Sequence, residues 1–304
     1  MKVCFVGMGS IGKRHIKNFA KICTDRKLEM EIHLLRSSKK ELDNEIERLV
    51  SKEIYNYLDL DDCYDAIFIT NPTYLHFDTI EQLKDKSKVF FVEKPVFDTS
   101  SVDISVLRPD ENIYYVACPL RYTSVLLKAD EIIRKEKVFS ARAISSSYLP
   151  EWRKNVDYRE TYSAHKEQGG GVRIDLIHEW DYLVAFFGFP KNISIFSGKY
   201  SDLEIDSDDI AVYIAQYEDK LIELHLDYFG RKTRRSLEIR TKDHEYIFDI
   251  SNMEIWKDGI LIEKFQDELN DMYLREMENF FSIVYGGKIS NNSLADALTL
   301  LKMV

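Results

Sequence analysis

Apolar and polar residues follow one pattern over the first 120 residues and another after them. In the first part, apolar runs of about 4–8 residues, which favour buried strands, are separated by segments with apolar residues at helical spacing. The predicted strands cover residues 3–6, 30–36, 65–71, 88–95 and 112–118, and the predicted helices cover residues 10–22, 39–50 and 74–86. Strands that alternate with helices predict βαβ units and a parallel sheet, with ligands at the carboxyl ends of the strands.

The pattern changes after Arg121. A helix is predicted at 124–135, and the rest contains short alternating runs separated by turns such as EDK and TKDH, typical of an antiparallel meander. These predicted strands cover residues 138–149, 192–200, 210–217, 220–229, 235–242 and 244–250. We therefore predict an α/β chain with a Rossmann NAD(P)-binding domain at 1–120 and an α+β substrate-binding and oligomerisation domain at 121–304, whose sheet is mainly antiparallel.

The loop after the first predicted strand contains the spacing GxGxxG, with glycines at positions 7, 9 and 12. In a strand-loop-helix setting, Gly7 permits a tight turn, Gly9 lets the backbone approach a pyrophosphate, and Gly12 lets helix and strand pack closely. The helix N-terminus adds NH groups and a partial positive charge. The motif predicts a dinucleotide site, and a tight turn without a ligand is the alternative.

The end of the second predicted strand bears on the choice of cofactor. An acidic residue there suits the ribose of NAD, whereas a 2′-phosphate needs cations and hydroxyl donors. The chain has Arg36, Ser37, Ser38 and Lys39. We therefore expect NADP, with NAD also possible; the alternative is that Ser38 only caps the next helix, ahead of solvated lysines.

Composition narrows the class of protein. A chain of 304 residues with 45% hydrophobic residues can bury a core in each of two domains. The formal net charge of -10 argues against a nucleic-acid partner. No apolar stretch is long enough to span a membrane, no signal peptide is recognised, and the four cysteines form no CxxC pair that would indicate a metal site or a disulfide framework. We expect a cytoplasmic protein, and we interpret Cys118 as a buried structural thiol.

Three further motifs carry a family resemblance: NPTYLH at 71–76, VEKP at 92–95 and GGGVRIDLIHEWDYL at 169–183. With the glycine loop, they make the chain resemble the Gfo/Idh/MocA family of oxidoreductases. The resemblance implies a nicotinamide-dependent oxidoreductase that acts on a sugar, cyclitol or related polyol. It also implies that Lys94 lies beside nicotinamide and substrate and that His178 is the acid/base residue. The family's commoner pattern has the Asp four residues before the His, whereas Asp175 precedes His178 by three.

The residues around His178 suit this chemistry on physical grounds. Oxidation of an alcohol needs a base within reach of the hydroxyl, and histidine titrates near neutral pH. On one helix, Asp175, His178 and Asp181 or Tyr182 would share a face, so that a carboxylate could fix the imidazole tautomer. Lys94 could stabilise alkoxide character. The alternatives are a surface ion cluster for the helix and a solvated lysine.

Two further segments contain arginines. Residues 148–171 interleave tyrosines and Trp152 with Arg153 and Arg159, which suits sugar stacking and binding of a carboxylate or phosphate, or else packing at an interface. These two arginines are the basis for considering an acidic or nucleotide-activated sugar. The basic segment 230–235, GRKTRR, is interpreted as a solvated hairpin turn.

The resulting expectations are a catalytic set, two binding sets, and assembly into a homodimer or larger homo-oligomer through the C-terminal sheet, with no metal. A non-catalytic sensor of NADP or sugar with the same fold is the alternative function, and redox-neutral chemistry with a tightly held cofactor also stays open. The expected catalytic residues are Lys94, His178 and Asp175. The expected cofactor-binding residues are Gly7, Gly9, Ser10, Ile11, Gly12, Arg36, Ser37, Ser38, Asn71, Pro72, His76, Glu93 and Lys94. The expected substrate-binding residues are Lys94, Arg121, Tyr122, Trp152, Arg153, Tyr162, Asp175 and His178.

Overall fold

A parallel sheet of six strands forms the N-terminal part of the chain, in a computed structural model that describes residues 1–304. The strands are β1 (Lys2–Val6), β2 (Glu31–Leu35), β3 (Lys52–Ile54), β4 (Ala66–Ile69), β5 (Val89–Val92) and β6 (Ile113–Val116). The helices between them are α1 (Ser10–Asp25), α2 (Asn44–Leu49) and α3 (His76–Leu83). The strand order β3-β2-β1-β4-β5-β6 reverses direction between β1 and β4, the point at which ligands bind in such sheets.

The central strands are continuous apolar runs because both of their faces are buried. All four residues of β4 and all four of β5 are buried. Phe5 stacks on Phe68 with ring centroids 4.2 Å apart, and Phe68 stacks on Phe91 at 5.3 Å. Aromatic packing therefore fixes the strands that carry the glycine loop and the EKP motif.

Two local features differ from the sequence-based expectation. Helix α2 begins at Asn44 rather than near Lys39, and its N-cap is Asp43, which accepts a hydrogen bond from the Ile46 NH at 3.0 Å. Ser38 is therefore not the cap. Strand β3 was not predicted, because an edge strand of three residues with two exposed leaves little hydrophobic pattern.

The second sheet has eight strands. The elements are α4 (Ser124–Ile133), β7 (Val138–Tyr148), α5 (Val172–Asp175), α6 (Ile177–Phe187), β8 (Asn192–Gly198), β9 (Ile210–Gln216), β10 (Leu221–Asp227), β11 (Phe229–Thr241), β12 (Glu245–Asp249), β13 (Glu254–Lys257) and β14 (Ile260–Lys264). Their order is β14-β13-β12-β11-β7-β10-β9-β8, and every neighbouring pair is antiparallel except β7 with β10. The predicted fold class is confirmed.

Helix α6 lies against this sheet through large buried side chains. Trp180 is fully buried and meets Tyr213 of β9 edge to face, with centroids 5.3 Å apart. Tyr182 and Leu183 are also fully buried. This packing fixes the helix that carries His178.

The basic segment 230–235 is not a solvated hairpin turn, because it lies inside β11. Between Phe229 and Arg234, β11 advances five residues while its partner β7 advances only from Tyr148 to Ser146. The extra residues form a bulge, which bends a strand and redirects its side chains. Alternation is lost over a bulge, and this explains why the pattern indicated a turn.

The C-terminal helices α7 (Asp271–Gly286) and α8 (Leu294–Leu301) complete the first unit. By contacts the chain divides into Met1–Pro119 with Tyr273–Lys302, and Leu120–Met272 with Met303–Val304. The expected division placed everything after residue 120 in the second domain. It differs because Phe280 packs edge to face on Phe68 and Phe91, with centroids 5.2 Å from each. None of the helices combines the length and the apolar character needed to cross a membrane.

Candidate functional site

A cleft of about 680 Å³ opens beside the glycine loop at the carboxyl ends of β1 and β2. Ligand pockets of this kind span roughly 300–1,000 Å³. Most of the expected cofactor-binding residues line it, whereas Gly12, His76, Glu93 and Lys94 do not. The expected residues that line the cleft are Gly7, Gly9, Ser10, Ile11, Arg36, Ser37, Ser38, Asn71 and Pro72.

Each of the three glycines in the loop is required, or not required, by the structure for a different reason. Gly7 has φ +93°, and a Cβ there would lie 2.7 Å from the backbone of Asn71. A Cβ at Gly12 would lie 2.8 Å from Thr70 Oγ1, so this glycine sets the contact of α1 with the sheet. A Cβ at Gly9 would meet no atom within 4 Å. Gly9 is therefore not required by packing, and the open space at its Cα faces the cleft.

The N-terminus of α1 has unused hydrogen-bonding capacity. Gly9 is its N-cap, in extended conformation, and no side chain caps the first turn. The side-chain oxygen of Asn71, which also lines the cleft, is buried without a hydrogen-bond partner. Free amides, the positive end of a helix dipole and an open Cα together fit the pyrophosphate of a dinucleotide.

Arg36 has a different role from the one expected. Its guanidinium is buried and folds back on its own loop, where Nε donates to the carbonyl oxygen of Ser38 and Nη2 to that of Lys40. Nη1 lies 3.5 Å from a carboxylate oxygen of Glu53. Arg36 therefore holds the loop in shape, while Ser37, Ser38 and Lys40 present their side chains along the cleft.

The buried ring of His76 holds the NPTYLH loop in place. Its ring is buried, with Nδ1 3.0 Å from the carbonyl oxygen of Val96 and Nε2 2.9 Å from that of Asn71. Burial lowers the pKa of His76, and the carbonyl oxygens of Asn71 and Val96 oppose this shift only in part. His76 does not line the cleft, although it was expected to contact the cofactor. Its ring instead positions Asn71, which does line the cleft.

The EKP motif follows β5. Burial alone would raise the pKa of Glu93, but His15, whose Nε2 lies 2.5 Å from Glu93 Oε1, and then the Lys94 charge hold that pKa below its usual value. Lys94 donates its backbone NH to Glu93 Oε2 at 3.2 Å. Its ammonium makes no hydrogen bond within the protein, so it is available to a ligand.

In the second unit, His178 lies in a charged cluster with Glu179 and Arg235. Arg235 Nη2 is 2.9 Å from His178 Nε2, and Arg235 Nε donates to Glu179 Oε1 at 2.7 Å. Because a guanidinium only donates, His178 Nε2 accepts and the ring proton is on Nδ1. Burial alone would raise the pKa of Glu179, but Arg235 and then His178 outweigh it and hold this pKa well below its usual value. Arg235 therefore fixes the tautomer of His178.

This corrects the expected role of Asp175. The helix is interrupted at Leu176, where φ is -102° and ψ is 21°, so Asp175 and His178 do not belong to one continuous helix. Asp175 accepts a hydrogen bond of 2.6 Å from the buried hydroxyl of Tyr228. Burial, followed by the Asp175 charge, raises the pKa of Tyr228 far above its usual value, so the phenol stays protonated and donates. Asp175 joins its helix to the sheet.

The expected substrate residues Arg121 and Tyr122 are also engaged within the second unit. Arg121 forms a two-pronged ion pair with Asp181, at 2.7 and 2.8 Å, and each side chain is only 11% exposed. Tyr122 is buried. Arg121 is thus already paired within the protein, and Tyr122 has little exposed surface to offer a ligand.

The aromatic loop 148–171 consists of short 3₁₀ turns. Trp152 donates its Nε1 proton to Ser147 Oγ at 2.9 Å, and the Arg153 guanidinium lies 5.8 Å from the ring centre of Tyr162. Arg159 pairs with Asp157 and Glu204. Trp152 and Tyr162 keep 38% and 44% of their surface exposed, enough to contact a ligand.

Sequence reasoning missed Glu179, Arg235 and Tyr228. Glu179 stands in the motif HEWD beside His178, and Arg235 ends the basic segment after Tyr228. The basic run was a usable signal, but its location could not be assigned without the strand register that brings β11 beside α6.

The strand order and the glycine loop define a dinucleotide-binding Rossmann domain, joined in one chain to an α+β domain. Residues 1–105 match the sequence model of the oxidoreductase family with an NAD-binding Rossmann fold, Gfo/Idh/MocA. The matched residues contain the glycine loop, NPTYLH and VEKP, and the resemblance seen in the motifs is confirmed.

One relative and several solved structures are similar to this chain, and the solved structures share its fold. The uncharacterized oxidoreductase YrbE of Bacillus subtilis (strain 168) is 26% identical in an alignment of 216 residues, and the match covers 66% of this chain and 60% of that protein. The match thus spans less than two thirds of the relative's length. Levoglucosan dehydrogenase in complex with NADH and levoglucosan has a TM-score of 0.82 at 15% identity, covering 99% of this chain and 94% of that one. A probable dehydrogenase from Thermotoga maritima has a TM-score of 0.79 at 19% identity, covering 100% and 94%.

Proposed function

We propose that this protein is an oxidoreductase that transfers hydride between a nicotinamide cofactor and a hydroxyl or carbonyl carbon of a sugar or polyol. The observation that carries the proposal is the charged cluster around His178, in a chain whose first unit has a dinucleotide cleft. A sensor of cofactor or sugar would need the cleft but would not need an imidazole whose tautomer is fixed by a buried ion pair. The sugar dehydrogenase among the similar structures supports the substrate class.

The bound nicotinamide ring would supply or accept the hydride. On the protein side, His178 carries its proton on Nδ1, so a proton taken from the substrate hydroxyl goes to Nε2. Arg235 must then leave Nε2, and it stays anchored to Glu179. Glu179 Oε1, 3.4 Å from Nε2, stabilises the protonated ring. Lys94, whose ammonium has no hydrogen bond in the protein, stabilises negative charge on the reacting oxygen.

The direct test measures NADH and NADPH absorbance with a panel of sugars, sugar acids and polyols. The expected result is turnover of at least one substrate, lost in His178→Ala while cofactor binding persists. Cofactor binding with no turnover of any member, together with sugar affinity unchanged in His178→Ala, would instead favour the sensor.

We also propose a preference for NADP. Ser37, Ser38 and Lys40 line the cleft near the loop held by Arg36, and Glu41 is the one acidic residue in the lining. Fluorescence titration should give tighter binding of NADPH than of NADH. Arg36→Asp should weaken both and NADPH more, since the loop loses its internal donors; the exposed Arg48 on α2 offers Arg48→Asp as a control of equal charge change. Tighter binding of NADH to the unmutated protein would reject the preference.

A homodimer or larger homo-oligomer formed through the second sheet is proposed as well. Phe196, Val212 and Ile144 share the sheet face opposite the buried helices, as the pairings Phe196 to Val212, Val212 to His225 and His225 to Ile144 require. Phe196 is 73% exposed. Light scattering should show an oligomer that Phe196→Lys dissociates and Leu58→Lys, at an exposed site in the first unit, does not. A monomeric wild type at micromolar concentration would contradict this.

A further inference from the structure

A second cavity, of about 470 Å³, lies wholly in the second unit, where β11 passes the end of β7 and the turn after β12. Of the ten residues that line it, three are cationic and five carry hydroxyl groups, and none is acidic. The chain as a whole carries a formal net charge of -10. A cavity lined by donors and cations in an acidic protein attracts anions selectively.

The bulge in β11 explains why the cations meet there. Lys232 and Thr233 are among the extra residues between Phe229 and Arg234 that have no counterpart on β7. Side chains in a bulge leave the regular alternation of the strand, and bulges recur beside functional sites. The four consecutive residues 232–235 therefore all line the cavity, although successive residues of a regular strand face opposite sides.

The three cations are not equally neutralised. Arg235 is paired with Glu179, and Arg234 with Glu238 at 2.8 Å. Lys232 is exposed and has no hydrogen-bond or ion-pair partner in the protein. The cavity thus keeps one uncompensated positive charge, next to the serine hydroxyls of residues 145–147.

Arg235 joins this cavity to the chemistry. Arg235 lines the cavity, and its Nη2 atom lies 2.9 Å from His178 Nε2. A group bound beside Lys232 is therefore one arginine side chain away from the acid/base residue. By contrast, Arg159 of the aromatic loop is already paired with two carboxylates, and Arg153 lies over Tyr162.

We propose that the cavity binds a carboxylate or phosphate of the substrate, with Lys232 as the specificity-determining cation and the serine hydroxyls as further donors. The inference rests on the proposed oxidoreductase function and narrows its substrate class to sugar acids or phosphorylated sugars. An oxyanion offers several lone pairs to the hydroxyl donors, whereas a neutral sugar would leave Lys232 uncompensated.

Calorimetric binding separates this inference from the oxidoreductase proposal, because it needs no turnover. The probes are glucuronate, glucose 6-phosphate, inorganic phosphate and neutral glucose, each titrated into wild type, Lys232→Met and Lys242→Met. Lys242, in the turn after β11, is exposed and lies outside the cavity, so its variant controls for the loss of one charge.

The expected result is that at least one anionic probe binds wild type more tightly than glucose. Its affinity should fall about tenfold in Lys232→Met and stay unchanged in Lys242→Met. Tighter binding of glucuronate identifies a carboxylate site, and tighter binding of the phosphates identifies a phosphate site.

Equal affinities of wild type and Lys232→Met, tighter binding of glucose, or no binding of any probe in the millimolar range would overturn the cavity's assignment. Binding that depends on Lys232, without nicotinamide turnover of any sugar, would support the cavity and reject the oxidoreductase proposal. Turnover of neutral sugars alone, unaffected by Lys232→Met, would support the oxidoreductase proposal and reject the anion-binding role of the cavity.

Discussion

The nucleotide cleft of the first unit and the His178 cluster of the second are built in different ways. The cleft depends on neighbours in sequence: Gly7, Gly9 and the first turn of α1 lie within a few residues of one another. The cluster depends on distant residues, since Glu179 and His178 meet Arg235, which lies more than 50 residues later. A site made by local backbone geometry leaves a readable motif, whereas one made by strand register leaves only isolated residues.

The largest expected effect is on turnover, and it comes from a change in the His178 cluster. His178→Ala should reduce turnover by roughly a hundredfold or more, because the reaction loses its acid/base group. NADPH titration should be nearly unchanged in this variant, since His178 belongs to the second unit. Lys94→Ala should give a comparable loss if its ammonium stabilises the reacting oxygen. Wild-type turnover in His178→Ala would show that the cluster is only structural.

The next largest effect is expected from a matched pair of substitutions in the glycine loop, Gly7→Ala and Gly9→Ala. Gly7→Ala should destabilise the fold by about 1–3 kcal/mol, because it forces a positive φ on alanine and a clash with Asn71. Gly9→Ala should leave the unfolding midpoint unchanged and still weaken dinucleotide binding, since its Cβ points into open space. Thermal denaturation and cofactor titration of both variants separate the two roles. Equal stability losses would show that Gly9 also serves packing.

A smaller effect is expected when the neighbour that fixes the His178 tautomer is removed. Arg235→Gln should lower turnover about tenfold, the scale of one lost charge-assisted hydrogen bond. The acid limb of the pH profile of turnover should move to higher pH, since the protonated ring loses a like-charged neighbour and keeps Glu179. Asp175→Asn is the control, because Asp175 accepts a hydrogen bond from Tyr228 and does not orient His178: it should leave the profile in place. A shift in Asp175→Asn alone would restore the role first expected for Asp175.

The smallest effect concerns pH and the first unit. The pKa of Glu93 is lowered in the fold, so its carboxylate stabilises the protein above the unfolded value near 4.5, and this contribution is lost as pH falls through the lowered folded pKa. Glu93→Gln should therefore cost about 1 kcal/mol near pH 7 and much less in acid, measured by urea unfolding. An equal cost at both pH values would mean that packing, rather than charge, explains the loss.

The order of elements and the nucleotide motif were predictable from the sequence for a common reason. Strand β1, the glycine loop and α1 follow from buried runs, glycine geometry and helical spacing, all of which act over short distances along the chain. The sequence also predicted a second, mainly antiparallel sheet. It missed β3, which is short and at an edge, and it misplaced residues 230–235, because a bulge breaks alternation.

Local pattern by itself predicted the fold class and the dinucleotide loop, and the family resemblance of two motifs supplied the candidates Lys94 and His178. Only the tertiary structure decided that Arg235 rather than Asp175 fixes the His178 ring, that Asp175 binds Tyr228, and that Arg36 holds its own loop. The physical reason is that backbone conformation is set largely by near neighbours, whereas a buried charge is neutralised by whichever partner packing brings within hydrogen-bond distance. That partner can come from any strand of the sheet.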